Sequence, residues 1–284
     1  MNFRQLSLAL AIGGLIMTTS VNAQTPKLEF PAASPTATLK QRVGLTDVEI
    51  VYSRPSVKKR EIFGAMVPYG KVWRTGANGA TKLVFSTPVK LNGHEVPAGT
   101  YALMTVPGKD EWTIIVNKGA EQWGAYKYDE KQDVVRFAAK PVSLDKPLET
   151  FTIEFNDLRD ESADLNLAWD RTLVPIKLEV EYATSLEKQI QQVMASDAPN
   201  KPYFQAAMFW YNHNKDMKQA NAWVDEALKE REAHYIMYLK AEILERLGDK
   251  AGAAAAAKHS MELAEKSNDN GYVKLNEALL ARLK

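Results

Sequence analysis

The residues best equipped for chemistry lie in one stretch, Val72 to Thr81, which reads V-W-R-T-G-A-N-G-A-T. Trp73 and Arg74 stand directly before Thr75, Gly76, Ala77, Asn78 and Gly79. An aromatic anchor and a cation are thereby set at a loop whose glycines permit positive φ and close backbone approach. A guanidinium binds carboxylate or phosphate through a planar fork of donors. Arg54, Arg60 and Arg74 either converge on such an anion, or each pairs with a carboxylate such as Asp133 or covers an aromatic ring. Thr75, Asn78 and Thr81 either offer donors to the same ligand or bond their own backbone, as such side chains do in loops. A second aromatic stretch, Trp123-Gly124-Ala125-Tyr126-Lys127-Tyr128, falls in an irregular segment. Its Trp123 and Tyr126 rings are suited to stack on a sugar, clamp a peptide, or pack as a lid.

The usual catalytic sets are missing from the sequence. There is no G-x-S-x-G to form a nucleophile elbow. His94, His213, His234 and His259 are dispersed, with no i,i+4 pair for zinc. With no cysteine, disulfides, thiolate metal sites and cysteine nucleophiles are excluded. The acidic residues Asp157, Asp160, Glu161 and Asp164 lack the glycine and fixed spacing of a calcium loop. The expected site therefore has no catalytic residue, metal or cofactor, and the leading expectation is a binding module for a small anionic or sugar-like ligand. A structural protein of the cell envelope, and an envelope-polymer hydrolase using acids such as Asp133 or Asp170, are the alternatives.

Met1 to Ala23 carries Arg4, an apolar run from Leu6 to Met17, and Val21-Asn22-Ala23 before Gln24. That is the pattern of a cleavable signal peptide, which predicts a periplasmic or extracellular protein. No later stretch approaches the roughly 20 apolar residues of a membrane span. Removing the segment takes away one arginine and leaves 35 basic against 35 acidic residues, with no basic stripe to suit a nucleic acid.

The elements that must position these loops fall into two groups. Residues 24–35 read as a linker, and 36–183 as a β domain. There Val48, Ile50 and Tyr52 share one parity, as do Trp112, Ile114 and Val116, then Phe151, Ile153 and Phe155, then Leu165, Leu167 and Trp169, then Ile176, Leu178, Val180 and Tyr182. Asn92-Gly93 suits a two-residue hairpin turn. Eight or so short strands with this spacing predict a two-sheet antiparallel sandwich, with an open barrel as runner-up. Past Tyr182 the period becomes helical. Ala207, Tyr211, Asp216, Ala220, Val224 and Ala227 have counterparts about 33 residues on, at Lys240, Leu244, Asp249, Ala253, Ala257 and Ser260. This predicts two tetratricopeptide-like hairpins within 184–284, a last helix from Gly271 to Leu283, and either a protein partner for this region or a tail that caps the sandwich. The fold class is thus α+β, with two domains.

Ser53-Arg54-Pro55, Arg60 with Phe63-Gly64, Pro68-Tyr69-Gly70, Trp73-Arg74-Thr75-Gly76-Ala77-Asn78 with Ala80-Thr81, Pro97-Ala98-Gly99-Thr100-Tyr101, and Asp133-Val134-Val135-Arg136 together resemble the secreted bacterial family known as domain of unknown function 2911. The resemblance implies location and architecture, helical tail included, and no reaction. Lys59 stands where members of that family often carry glycine before the arginine.

Overall fold

A computed structural model describes residues 28–284; the expected signal peptide, Met1 to Ala23, and the start of the expected linker lie outside the described residues. Ten strands come first: β1 (Thr36–Val43), β2 (Thr46–Ser53), β3 (Thr81–Phe85), β4 (Val89–Leu91), β5 (His94–Val96), β6 (Gly99–Val106), β7 (Trp112–Asn117), β8 (Asp133–Ala139), β9 (Val142–Asn156) and β10 (Ser162–Val180). They form a six-stranded sheet in the order β1-β2-β3-β6-β7-β8 and a four-stranded sheet in the order β5-β4-β10-β9. All pairings are antiparallel. The inward parity of both sheets meets in one core that includes Val48, Ile50, Leu83, Leu103, Ile114, Phe151, Leu165 and Ile176, so the alternation read from sequence is the burial of one face per sheet. The ten strands differ from the eight or so expected because β1, β3 and β8 are not among the alternating runs, while the runs at Leu165–Trp169 and Ile176–Tyr182 belong to the one long strand β10 and its end; β4 and β5 are only three residues long. Such strands show no period in sequence; the Asn92-Gly93 turn between them, with φ of +47° and +80°, is what marks them.

Six helices follow: α1 (Ala183–Ala195), α2 (Tyr203–Asn212), α3 (Met217–Glu230), α4 (His234–Arg246), α5 (Lys250–Lys266) and α6 (Asn270–Arg282). The two-part α+β layout is as the change of period implies. Asp216 and Asp249 hold equivalent places 33 residues apart. Each accepts backbone N–H bonds at the start of its helix, Asp216 from Lys218 and Gln219, Asp249 from Gly252, satisfying donors no helix can satisfy itself. Ala220, Val224 and Ala227 are buried, as are their counterparts Ala253, Ala257 and Ser260. Helices of the array pack chiefly on one another. α1 adds Leu186, Ile190 and Met194 to the cluster of α2 and α3, and Tyr182 at the junction packs there too. The helices thus dock on α1 and Tyr182 rather than across a sheet. No helix among the described residues is long and apolar enough to cross a membrane.

Candidate functional site

Trp73 takes over beside β6 where β3 stops, exchanging both backbone bonds with Thr105 at 2.7 and 2.9 Å. Its indole turns into the core, stacked on Trp169 at 6.0 Å and 16°, and edge-on to Phe63, Trp112 and Phe151. The chain then leaves the sheet and returns at Thr81, whose N–H donates to the Arg74 carbonyl at 3.1 Å. Inside this closed loop the polar groups serve the loop itself. Trp73 Nε1 donates to Gly76 O, Thr81 Oγ1 donates to Thr75 O at 2.6 Å, and Thr75 Oγ1 donates to Thr105 Oγ1 at 3.1 Å. Thr75 and Thr81 are fully buried.

These bonds hold an unusual backbone. Thr75 has φ +53° and Asn78 φ +58°. A β-branched residue in the left-handed region is a steric outlier costing on the order of 1–3 kcal/mol, and it persists only where surroundings over-determine it. Gly76, at φ +154°, lies against β2: a Cβ there would stand 3.0 Å from Ser53 O and 3.2 Å from Thr81 Oγ1.

The aromatic stretch is clamped against this loop. Gly79 and Trp123 form a β-bridge, Ala80 N donates to Gln122 O at 3.0 Å, and Gly124 N donates to Asn78 O at 3.0 Å. The two loops together cover the outer side of β6 and β7, where Ala102, Met104 and Ile115 are buried under Val72, Ala80, Ala125 and Tyr128. Trp123 and Tyr126 are nevertheless 67% and 83% exposed. Gly124 is where the Tyr126 ring and the Arg74 guanidinium meet, since a Cβ there would lie 2.7 Å from Tyr126 Cε2 and 3.4 Å from Arg74 Nη1.

Arg74 differs from the other arginines considered. Arg54 donates to Phe151 O and Thr152 Oγ1 on β9, at 3.1 and 2.8 Å. Arg60 closes its own turn, donating to Val57 O and Ser56 O. That turn forms with Lys58 and Lys59 at φ +48° and +59°, so Lys59 occupies a conformation that favours glycine. Arg74 Nε is buried with no hydrogen-bond partner among the described residues, and the same holds for Gln122 Oε1 on the facing loop. The three arginines therefore do not pool their donors: two are engaged by carbonyls and a hydroxyl, and one is left.

Asp133 pairs with none of the three. It accepts from Asn117 Nδ2 at 2.7 Å, Tyr128 Oη at 2.6 Å and Arg136 Nη1 at 2.9 Å. Burial and then the Asp133 carboxylate hold the Tyr128 phenol well above its usual range, and the bond to Asp133 raises the Arg136 guanidinium. Asp133 thus ties down the far end of the aromatic loop instead of facing a ligand. Asp133 and Arg136 stand three apart in sequence, a visible signal for the pair; nothing local signals Gln122, which lies just outside the aromatic stretch.

Beside the clamped loops a groove of about 420 Å³ is lined by Thr36, Ser53, Asn78, Gly79 and Trp123, among others. Asn78 Nδ2 donates to Ser34 O and Ser53 Oγ, both at 3.3 Å, so its amide nitrogen is already engaged. The groove thus takes Asn78 and Trp123, Arg74 and Tyr126 meet next to Trp123 at Gly124, and Trp73, Thr75 and Thr81 are buried as support. Arg54, Arg60 and Asp133 are held elsewhere by their own partners.

Compared with known proteins, the chain matches one family model, described as a protein of unknown function (DUF2911), over residues 34–178, just over half its length. The matched span covers nearly all of the strand region and stops before the first helix. No curated protein and no solved structure matches the chain.

Proposed function

We propose that this chain, which belongs to the DUF2911 family of proteins of unknown function, is an exported, non-catalytic module that binds a small sugar-like anion on its clamped loops. The unpartnered Arg74 carries the reading. A buried donor with nothing to bond costs on the order of 1–3 kcal/mol, and a carboxylate or phosphate supplies the missing acceptor through charge-assisted bonds. Trp123 and Tyr126 add two exposed ring faces beside it, the form of contact that a pyranose face takes. Asn78 and Ser53 supply polar contacts in the groove. Because Arg54 and Arg60 have their donors engaged, one guanidinium rather than three meets the charge, which favours a singly anionic ligand.

Titration with glucuronate, glucose 1-phosphate and glucose, followed by thermal unfolding, tests the reading. At 100 times its dissociation constant a ligand adds about 2.7 kcal/mol to the folded state. Glucuronate should raise the melting temperature more than glucose 1-phosphate, whose phosphate carries a charge of about −1.5 to −2 at pH 7, and Arg74→Gln should abolish the rise. An equal rise with glucose, or one that survives in Arg74→Gln, would contradict it. Export rests on Met1–Ala23. The protein recovered from an expressing bacterium should begin at Gln24, and a cytoplasmic product beginning at Met1 would refute export.

A protein contact through the helical region is the second reading. It is favoured by Met208 on α2 and Leu275 on α6, at 40% and 45% exposure, on helices whose packing leaves the sheets free. Cross-linking in the envelope that captures nothing through positions 208 and 275 would dismiss it.

A further inference from the structure

One imidazole pins the turn between α5 and α6 to the start of α4. His234 is the first residue of α4, with its side chain 19% exposed, and its ring lies against those of Tyr235 and Tyr272 at 5.5 and 4.8 Å. Its Nε2 is 3.3 Å from Asp269 Oδ2, while Oδ1 of the same carboxylate caps α6 by accepting from Gly271 N and Tyr272 N. Its Nδ1 is 3.3 Å from Ser267 Oγ. A serine has one proton to donate, and Ser267 directs it to Leu263 O and Ala264 O at 2.9 and 3.1 Å. Both ring nitrogens of His234 therefore face acceptors. Ser267, His234 and Asp269 stand in the order of a hydrolytic triad, yet with the serine proton engaged by carbonyls the row offers no activated nucleophile.

A second imidazole nearby has the same surroundings. His259 of α5 places Nε2 2.8 Å from Glu232 Oε1, in the turn between α3 and α4, and Nδ1 3.6 Å from Glu262 Oε2 on its own helix. Ser260, next to His259, donates to His234 O at 2.8 Å and so ties the two places together. Arg231, also in that turn, lies over the Tyr235 ring at 5.8 Å. No group of His, Asp and Glu among the described residues is arranged to hold a metal ion. A neutral imidazole carries one donor and one acceptor, whereas the imidazolium carries two donors. The partners of these two rings, Asp269, Ser267, Glu232 and Glu262, are all acceptors, which is the set that suits two imidazoliums. The α4 dipole opposes a cation at His234, and the Asp269 carboxylate offsets it.

We infer that His234 and His259 form a pH-sensitive clamp on the end of the helical array, closed when protonated and slack when neutral. Protonated, they draw the α5–α6 turn and the α3–α4 turn onto the starts of α4 and α6 and the middle of α5. Folding then takes up protons. The stabilisation is full below the range in which an unfolded histidine titrates, near pH 6.5, and disappears as pH rises.

Urea unfolding of the full chain, read by helical circular dichroism from about pH 7.5 down to about pH 5, tests this beside the double variant His234→Gln with His259→Gln. Other titrating groups, His213 included, are common to both proteins. The gap in midpoint between parent and variant should widen by roughly half a molar of urea over that range, and added salt should reduce the widening. A gap that stays constant or narrows as pH falls would overturn the inference. Should the variant fail to fold, imidazole nitrogen spectra of the parent decide: at about pH 7, where a free imidazole is mostly neutral, two histidines should carry protons on both nitrogens. Four mostly neutral rings there would equally overturn it.

Discussion

Arg74 of the strand region is placed unlike the arginines that join the helices. Among the helices, Arg246 lies 3.6 Å above the Tyr211 ring and donates to Tyr211 O and Asn214 Oδ1, and Arg282 grips Glu242 and Glu245. Each reaches a second helix through hydrogen bonds. On the loops of the strand region Arg74 is held in place with its Nε buried and unmatched. The backbone beneath it is strained at Thr75, whereas the helices start on ordinary Asp caps at Asp216, Asp249 and Asp269. Both regions hold buried unpartnered polar atoms, His213 Nε2, Asn221 Oδ1 and Asn276 Oδ1 among the helices and Gln122 Oε1, Glu161 Oε1 and Asn166 Oδ1 among the strands; the Arg74 loop differs in that an unmatched cationic donor and a left-handed β-branched residue, Thr75, fall side by side.

Substitutions can break or sharpen that contrast. The largest effect belongs to Trp73→Ala, which removes the centre of the aromatic core and should cost about 3–5 kcal/mol in urea unfolding. Trp123→Ala, on the facing loop but 67% exposed, should fall within about 0.5 kcal/mol of the parent. A comparable loss from both would deny the division into support and surface. Next comes Asp216→Ala in the helical region, expected to cost about 1 kcal/mol through the lost cap. A smaller change of opposite sign is expected for Lys59→Gly, which relieves a left-handed lysine and should stabilise by a few tenths to about 1 kcal/mol. Arg74→Met should cost nothing or slightly stabilise the free protein, because a buried unmatched donor is removed. A marked loss would mean that Arg74 is structural.

A pH scan tests the packing of the helical region. Burial, then the hydrogen bond and charge of Glu242, push Tyr211 up to about 12; burial, then the charge and hydrogen bond of Glu242, do the same for Tyr238. An unfolded phenol ionises near 10, so between about pH 10 and 12 the unfolded chain binds fewer protons than the folded one, and stability falls as pH rises. Their contribution is fully present below pH 10. Helical circular dichroism in urea should therefore show a midpoint that drops across that window. A midpoint that stays level there would show that these phenols titrate as in water.

Much of the fold was legible because its causes are local. Parity marked the faces of β2, β7, β9 and β10, Asn92-Gly93 marked a hairpin, and Asp216 and Asp249 marked the 33-residue step of the helices. The candidate site was legible only in part, because its assembly is not local. That residues 78–80 meet residues 122–124 follows from both loops lying over β6 and β7, and no spacing encodes it. The fate of the arginines depends in the same way on what lies across from them. Arg54 met a carbonyl on β9 some 97 residues away, while Asp133 found Arg136 within its own strand. The sequence marked both loops by composition, and contacts across the fold decided which of their side chains find partners.

The central claim is that Arg74 is unmatched because its partner is a ligand. Isothermal titration of glucuronate into the protein and into Arg74→Gln tests it most directly. The account predicts saturable one-to-one binding to the parent, weakened by salt and lost in the variant, with both proteins equally stable without ligand. Binding that is absent from both, or equal in both, would contradict it.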